Sequence, residues 1–95
     1  MQIDEKLIRE YVENHKMSWK DEWKQAGIVS EKAKVLRDAV LQSKGCQTME
    51  ETADMIIAIM TLAELQGWLG ELPALVANRM KENIEKSVGE KVRKA

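Results

Sequence analysis

The segment Glu50-Glu51-Thr52-Ala53-Asp54 carries the side chains best placed to do chemistry in this sequence. Glu51 and Asp54 are three residues apart and Glu50 and Asp54 four apart, so on a helix these carboxylates share one face. Carboxylates grouped this closely repel one another unless a cation neutralises them. Mg²⁺ takes oxygen ligands and keeps several waters, which suits exchange with phosphate oxygens. A helical E-x-x-D can therefore form half of a magnesium site. The same residues also have a structural reading. Acidic side chains in a first helical turn are favoured by the macrodipole. Thr48-Met49-Glu50-Glu51 also matches a capping box, in which the Thr hydroxyl meets the N3 amide and Glu51 reaches back.

The stretch from Glu50 to Ala63, E-E-x-x-D followed by an apolar helix, resembles the MazG-like nucleoside triphosphate pyrophosphatases. The likeness continues past a short turn. Leu72-Pro73-Ala-Leu-Val-Ala-Asn-Arg79-Met80-Lys-Glu-Asn83-Ile-Glu-Lys86 is similar to that family's L-x-x-A-V-x-x-K-M-x-x-N-x-x-R helix. E-x-x-D alone is common; in order with the turn and the second helix it is more specific. The MazG-like region spans about residues 30–88. The resemblance implies hydrolysis of a nucleoside triphosphate between the α and β phosphates. It implies Mg²⁺ held by E-x-x-E on one helix and E-x-x-D on the next. Glu51 and Asp54 would be ligands, with Glu50 adjacent. Arg79 stands where the family has Lys, Asn83 matches directly, and Lys86 replaces an Arg; these three would face phosphate or base. Trp19 lies about where the family places an aromatic against the nucleobase.

The family's first acidic motif should fall within Glu31-Lys-Ala-Lys34-Val-Leu-Arg37-Asp38-Ala-Val, and there the chain departs from it. One register pairs Glu31 with Lys34, another Lys34 with Arg37, and a third Val35 with Asp38. Glu31 and Asp38 are the carboxylates this segment can offer a metal. A divalent ion held by Glu51 and Asp54 alone binds weakly. A register with Lys34 and Arg37 puts cationic groups where the metal belongs, which abolishes catalysis and leaves phosphate binding open. The sequence thus supports a nucleotide pyrophosphohydrolase, or a catalytically impaired relative that binds a nucleotide. The alternative is a non-enzymatic helical interaction or regulatory protein, of a size that suits a phage or mobile element.

Other sites are not assembled by the sequence. Phosphate-binding glycine loops and paired metal histidines are missing. His15 is read as a contact to the C-terminal end of a helix dipole, and the single cysteine, Cys46, excludes an internal disulfide and a cysteine-based zinc site. Trp19 and Trp23 are read first as aromatics capping a thin core, where such rings bury much area. Net charge is −1, which gives no basic surface for nucleic acid. From Arg79 to Ala95 six Lys/Arg face three Glu, read as a solvated helix face. The first residues lack an apolar signal region, and the longest apolar run, Met55 to Met60, is far below the roughly 20 residues of a membrane span. The expectation is a soluble cytoplasmic protein with no membrane partner.

Positioning these residues falls to helices, because apolar residues recur at helical spacing and alternating β-branched runs are absent. The chain's 95 residues suffice for one domain with a small core. The pattern predicts a small all-α bundle of four to five helices, completed by homodimerisation. Helix one is expected from Asp4 to His15, with Leu7, Ile8, Tyr11 and Val12 inward. Helix two is expected from Ser18 to Gly27, and helix three from Ser30 to Ser43, ended by Gly45. Helix four is expected from Thr48 to Gln66, central to the bundle because it is apolar on most sides. Gly67-Trp-Leu-Gly70 is read as a turn. Helix five follows, with Pro73 in its first turn and a seam of Leu72, Leu75, Val76, Met80, Ile84 and Val88; its end is weakened at Gly89.

Overall fold

The computed structural model describes residues 4–94, the side chains of residues 90–94 apart. Within them the fold is all-α, with no strand. Four α-helices occur in chain order: α1 Glu5–Asn14, α2 Glu22–Leu41, α3 Gly45–Leu65 and α4 Leu72–Lys94. Single 3₁₀ turns at Trp19–Asp21 and Leu69–Glu71 lead into α2 and α4. The end of the basic segment that begins at Arg79, and the residues before Asp4, lie outside the described side chains.

Helix α1 starts as expected, with the Asp4 carboxylate accepting from the backbone N–H groups of Lys6 and Leu7. Three helices then stop by one device. Lys16, Ser43 and Gly67 each take a left-handed backbone, with φ of 51°, 55° and 84°. Around each, the following N–H reaches back to a carbonyl five residues earlier: Met17 to Val12, Lys44 to Ala39, and Trp68 to Ala63. This is the Schellman closure, which satisfies carbonyls that the helix end would orphan.

That device accounts for two corrections. The expected helices two and three are one helix, α2, running through Gly27 and Ser30. Glycine within a helix costs only about 1 kcal/mol, and nothing at Gly27 closes the end. Gly45 does not end a helix but opens α3, so Thr48 lies inside it. The Thr48 hydroxyl donates back to the Lys44 carbonyl at 2.9 Å instead of capping an N-terminus. The expected capping box is therefore not formed, and Glu51 is released from that role. Ser18 caps as expected in one respect: its backbone N–H donates to Asp21 Oδ2 at 2.8 Å.

Helix α3 is the centre, as its apolar surface predicts. It packs antiparallel along α2 and also against α1. It supplies Ala58, Met60, Thr61 and Ala63 to the interior. Met60 and Ala63 meet Ile8 of α1 and Leu69 of the second 3₁₀ turn, with Ile56, Trp68 and Leu72 around them. Arg9 adds a weak tie from α1 to Glu64 at 3.6 Å, worth little at this exposure. Trp19 and Trp23 do not cap the core: they are 68% and 86% exposed. Gln25 and the residues a turn or two after it occupy the side of α2 that faces α3, which turns Trp23 outward.

Helix α4 packs mainly on the turn that leads into it. Of the expected seam, only Leu72 is half-buried; Leu75, Val76, Met80, Ile84 and Val88 are exposed. The chain is correspondingly long, 55 × 34 × 25 Å, with a radius of gyration of 16.4 Å. A compact domain of this length has about 12 Å.

Candidate functional site

The head of α3 is positioned by its packing on α2. The side-chain Nε2 of Gln25, a buried residue, donates to the Ala58 carbonyl at 2.9 Å and fixes the level at which the two helices meet. Along α3, Asp54 and Glu51 lie one and two turns before Ala58 and flank the same stripe. Glu51 is half-buried and Asp54 exposed, on the α2-facing side of the helix. Glu50 is exposed and sits further round towards solvent.

The opposing surface of α2 decides what this pair can do. Lys32 is seven residues after Gln25, and Glu51 seven before Ala58, so antiparallel packing sets them at one level. Lys32 is half-buried on the stripe that also carries Gln25, Leu36 and Ala39. Glu31 and Asp38 are turned away from it. Glu31 lies 3.9 Å from Lys34 Nζ, and Asp38 lies 3.3 Å from the Arg37 guanidinium, all at the surface. The registers expected from the sequence rest on residues 31, 34, 35, 37 and 38. Lys32 could be found only once the hairpin register was known.

Among the described residues, no three His, Cys, Asp or Glu side chains come close enough to hold a metal ion. Mg²⁺ needs near-octahedral oxygen ligation. Two carboxylates on one helix facing an ammonium-bearing stripe do not supply it within a single chain. The described residues do not fit a resident metal within one chain.

Arg79, Asn83 and Lys86 line up along one edge of α4, beside its apolar stripe, and all are exposed. Arg79 is held by Glu82 at 2.8 Å. Within one chain the bulk of α4 stands apart from α3, so this trio and the Glu51–Asp54 pair do not form a common pocket. Trp19 is likewise distant. It precedes Gln25 while Glu51 lies at the level of Lys32, a separation of about 20 Å along the helix axis.

Two concavities went unread in the sequence. One, of about 440 Å³, is an apolar crevice between Ile56, Ile59 and Met60 of α3 and Pro73, Val76 and Met80 of α4. The other, of about 330 Å³, lies where α1 ends and α2 begins, lined by Tyr11, His15, Lys16, Lys24 and Gln25 among others. His15 is engaged as its place at the helix end suggests: Nδ1 meets the Tyr11 carbonyl at 2.9 Å, and its ring stacks on Tyr11 with centroids 4.2 Å apart. Cys46 is free and exposed. No helix among the described residues is long and apolar enough to cross a membrane. No family model, curated protein or solved structure matches this chain.

Proposed function

We propose that the chain is a MazG-like helical protein that acts as a homodimer and binds a nucleotide, with hydrolysis lost or strongly reduced. The observation that carries the reading is Lys32 at the level of Glu51. Where the resemblance calls for a second acidic motif on the preceding helix, this chain offers an ammonium. The Lys32 ammonium, at that level but outside ion-pair distance of either carboxylate, offsets part of their charge without a metal and leaves a donor for phosphate oxygens. In this reading Mg²⁺ arrives with the triphosphate, and Glu51 and Asp54 give it at most two oxygens. Within one chain Arg79, Asn83 and Lys86 stand apart from that pair, so in this reading they contribute polar contacts only from the α4 of the second copy in the homodimer.

The test is titration with a panel of nucleoside triphosphates and Mg²⁺, reading heat of binding and pyrophosphate release in parallel. Binding with little or no pyrophosphate is expected. Robust turnover that disappears in Glu51→Gln and Asp54→Asn would make the chain an active pyrophosphohydrolase. Absence of any nucleotide binding would remove the nucleotide from the proposal.

A second reading has its own support. The exposed apolar stripe of α4 favours a non-enzymatic helical interaction or regulatory protein. It is separated from the first by assembly that persists while every nucleotide fails to bind.

A further inference from the structure

We propose that the entrance to α2 is a platform for single-stranded nucleic acid, on which bases stack against Trp19 and Trp23 and phosphates meet Lys16, Lys20 and Lys24. It stands apart from the nucleotide reading, because the two rings lie about 20 and 14 Å along the axis of α2 from the level of Glu51.

Trp19 and Trp23 are four residues apart, so the 3₁₀ turn and the first turn of α2 space them by about 6–7 Å along the axis. They are 68% and 86% exposed. One exposed apolar side chain needs no explanation, but two indoles a turn apart form a patch. Each ring offers a flat π face, and any base stacks on such a face. Lys20 and Lys24 repeat the spacing on the neighbouring stripe, and the Lys20 ammonium lies 5.9 Å over the Trp19 ring.

The lysines are open to phosphate. Among the described residues no carboxylate lies within ion-pair distance of Lys16, Lys20 or Lys24. The two acidic groups between His15 and Gln25 have structural employment. Asp21 accepts the Ser18 N–H at 2.8 Å, and Glu22 sits in the first turn of α2, where the helix dipole favours it. The concavity of about 330 Å³ opens beside them. Lys16 and Lys24 line it with the stacked Tyr11 and His15 rings, which add a further aromatic surface between cations. A net charge of −1 thus conceals a local basic surface with rings set into it.

The border of the patch separates this occupant from others. On α2 the exposed neighbours of the rings are Lys20, Lys24, Ala26 and Gly27, with no large aliphatic side chain among them. A helix that lies in a bilayer surface needs a continuous apolar face. An acidic peptide would engage the lysines and leave two flat rings without a role. Stacking and phosphate contact do not read the sugar, so DNA and RNA strands should bind alike.

The test is quenching of tryptophan fluorescence in the full chain by oligothymidylate and oligouridylate of about 12 nucleotides. Trp68, half-buried and bonded to Gln66, serves as the internal reference. Both strands should quench, with affinities within a few-fold of each other. The slope of log affinity against log salt should be about −2 for three neutralised phosphates. Trp19→Ala and Trp23→Ala should each weaken binding by about 5- to 100-fold at unchanged circular dichroism. Lys20→Glu with Lys24→Glu should abolish it. No quenching at low salt overturns the proposal, as does binding that survives both Trp variants. Tighter binding to phosphatidylserine vesicles or to polyglutamate also overturns it and assigns the patch to a membrane or an acidic protein.

Discussion

Gln25 of α2 hands a side-chain N–H to the backbone carbonyl of Ala58 in α3 across 2.9 Å, in a place where both residues are buried. The bond joins positions 33 apart in sequence and sets the register of the whole α2–α3 hairpin. Gln25→Ala removes it and leaves a small hole. The Ala58 carbonyl lies inside α3 and keeps its helical partner, so the cost should stay near 1–2 kcal/mol. Urea unfolding followed by circular dichroism measures it. A change below a few tenths of a kcal/mol would deny the bond its role as register pin.

Lys32→Glu should restore a carboxylate to the α2 stripe opposite Glu51. With three acidic groups at one level, divalent-cation affinity should rise about tenfold or more. Calorimetry with Mg²⁺ or Mn²⁺ reads this directly. An unchanged affinity would show that Lys32 and Glu51 do not face each other.

Ser43 holds a left-handed backbone that costs an L-residue about 1–2 kcal/mol. Ser43→Gly should recover part of this, about 0.5–1 kcal/mol after the greater freedom of the unfolded glycine chain is counted. The melting temperature should rise by a few degrees. Gly67→Ala should do the reverse by a similar amount, since Gly67 takes the same conformation at the end of α3. Thermal scans of the two variants should move in opposite directions.

Leu69 is fully buried in the turn that joins α3 to α4. Leu69→Ala should cost about 2–5 kcal/mol, a large share of the stability of so small a core. By contrast Trp23→Ala, at a side chain 86% exposed, should alter single-chain stability by no more than about 0.5 kcal/mol. Chemical denaturation of both variants ranks them. A costly Trp23→Ala would mean that a partner buries that ring.

The helical class and the central place of α3 were legible because they follow from the period of apolar residues alone. The start of α1 at Asp4 and the entry to α4 through Pro73 were legible because capping and ring chemistry are local. The start at Ser18 and the stop near Ser43 were legible too, whereas the break expected at Gly27 and the start of α3 were not. Glycine marks stops in sequence, yet Lys16 and Ser43 make them here, and whether a residue accepts positive φ depends on the closure around it. The acidic pair could be read from its spacing. Its counterpart Lys32 could not, because facing residues across a hairpin depend on the register that Gln25 sets. The exposure of Trp19 and Trp23 was misread for a related reason: one uninterrupted helix, rather than two, turns Trp23 to the outside.

The weight that α4 leaves on Leu69 and Leu72 divides the molecule unevenly under proteolysis. A protease acting on dilute protein should trim from the carboxyl end and slow near the buried turn, leaving a fragment that keeps α1, α2 and α3. At high concentration, where the proposed homodimer forms, the same sites should be shielded. How long the intact polypeptide survives would then depend on how much of it is present, an abundance dependence with its origin in one long helix that finds little support at home.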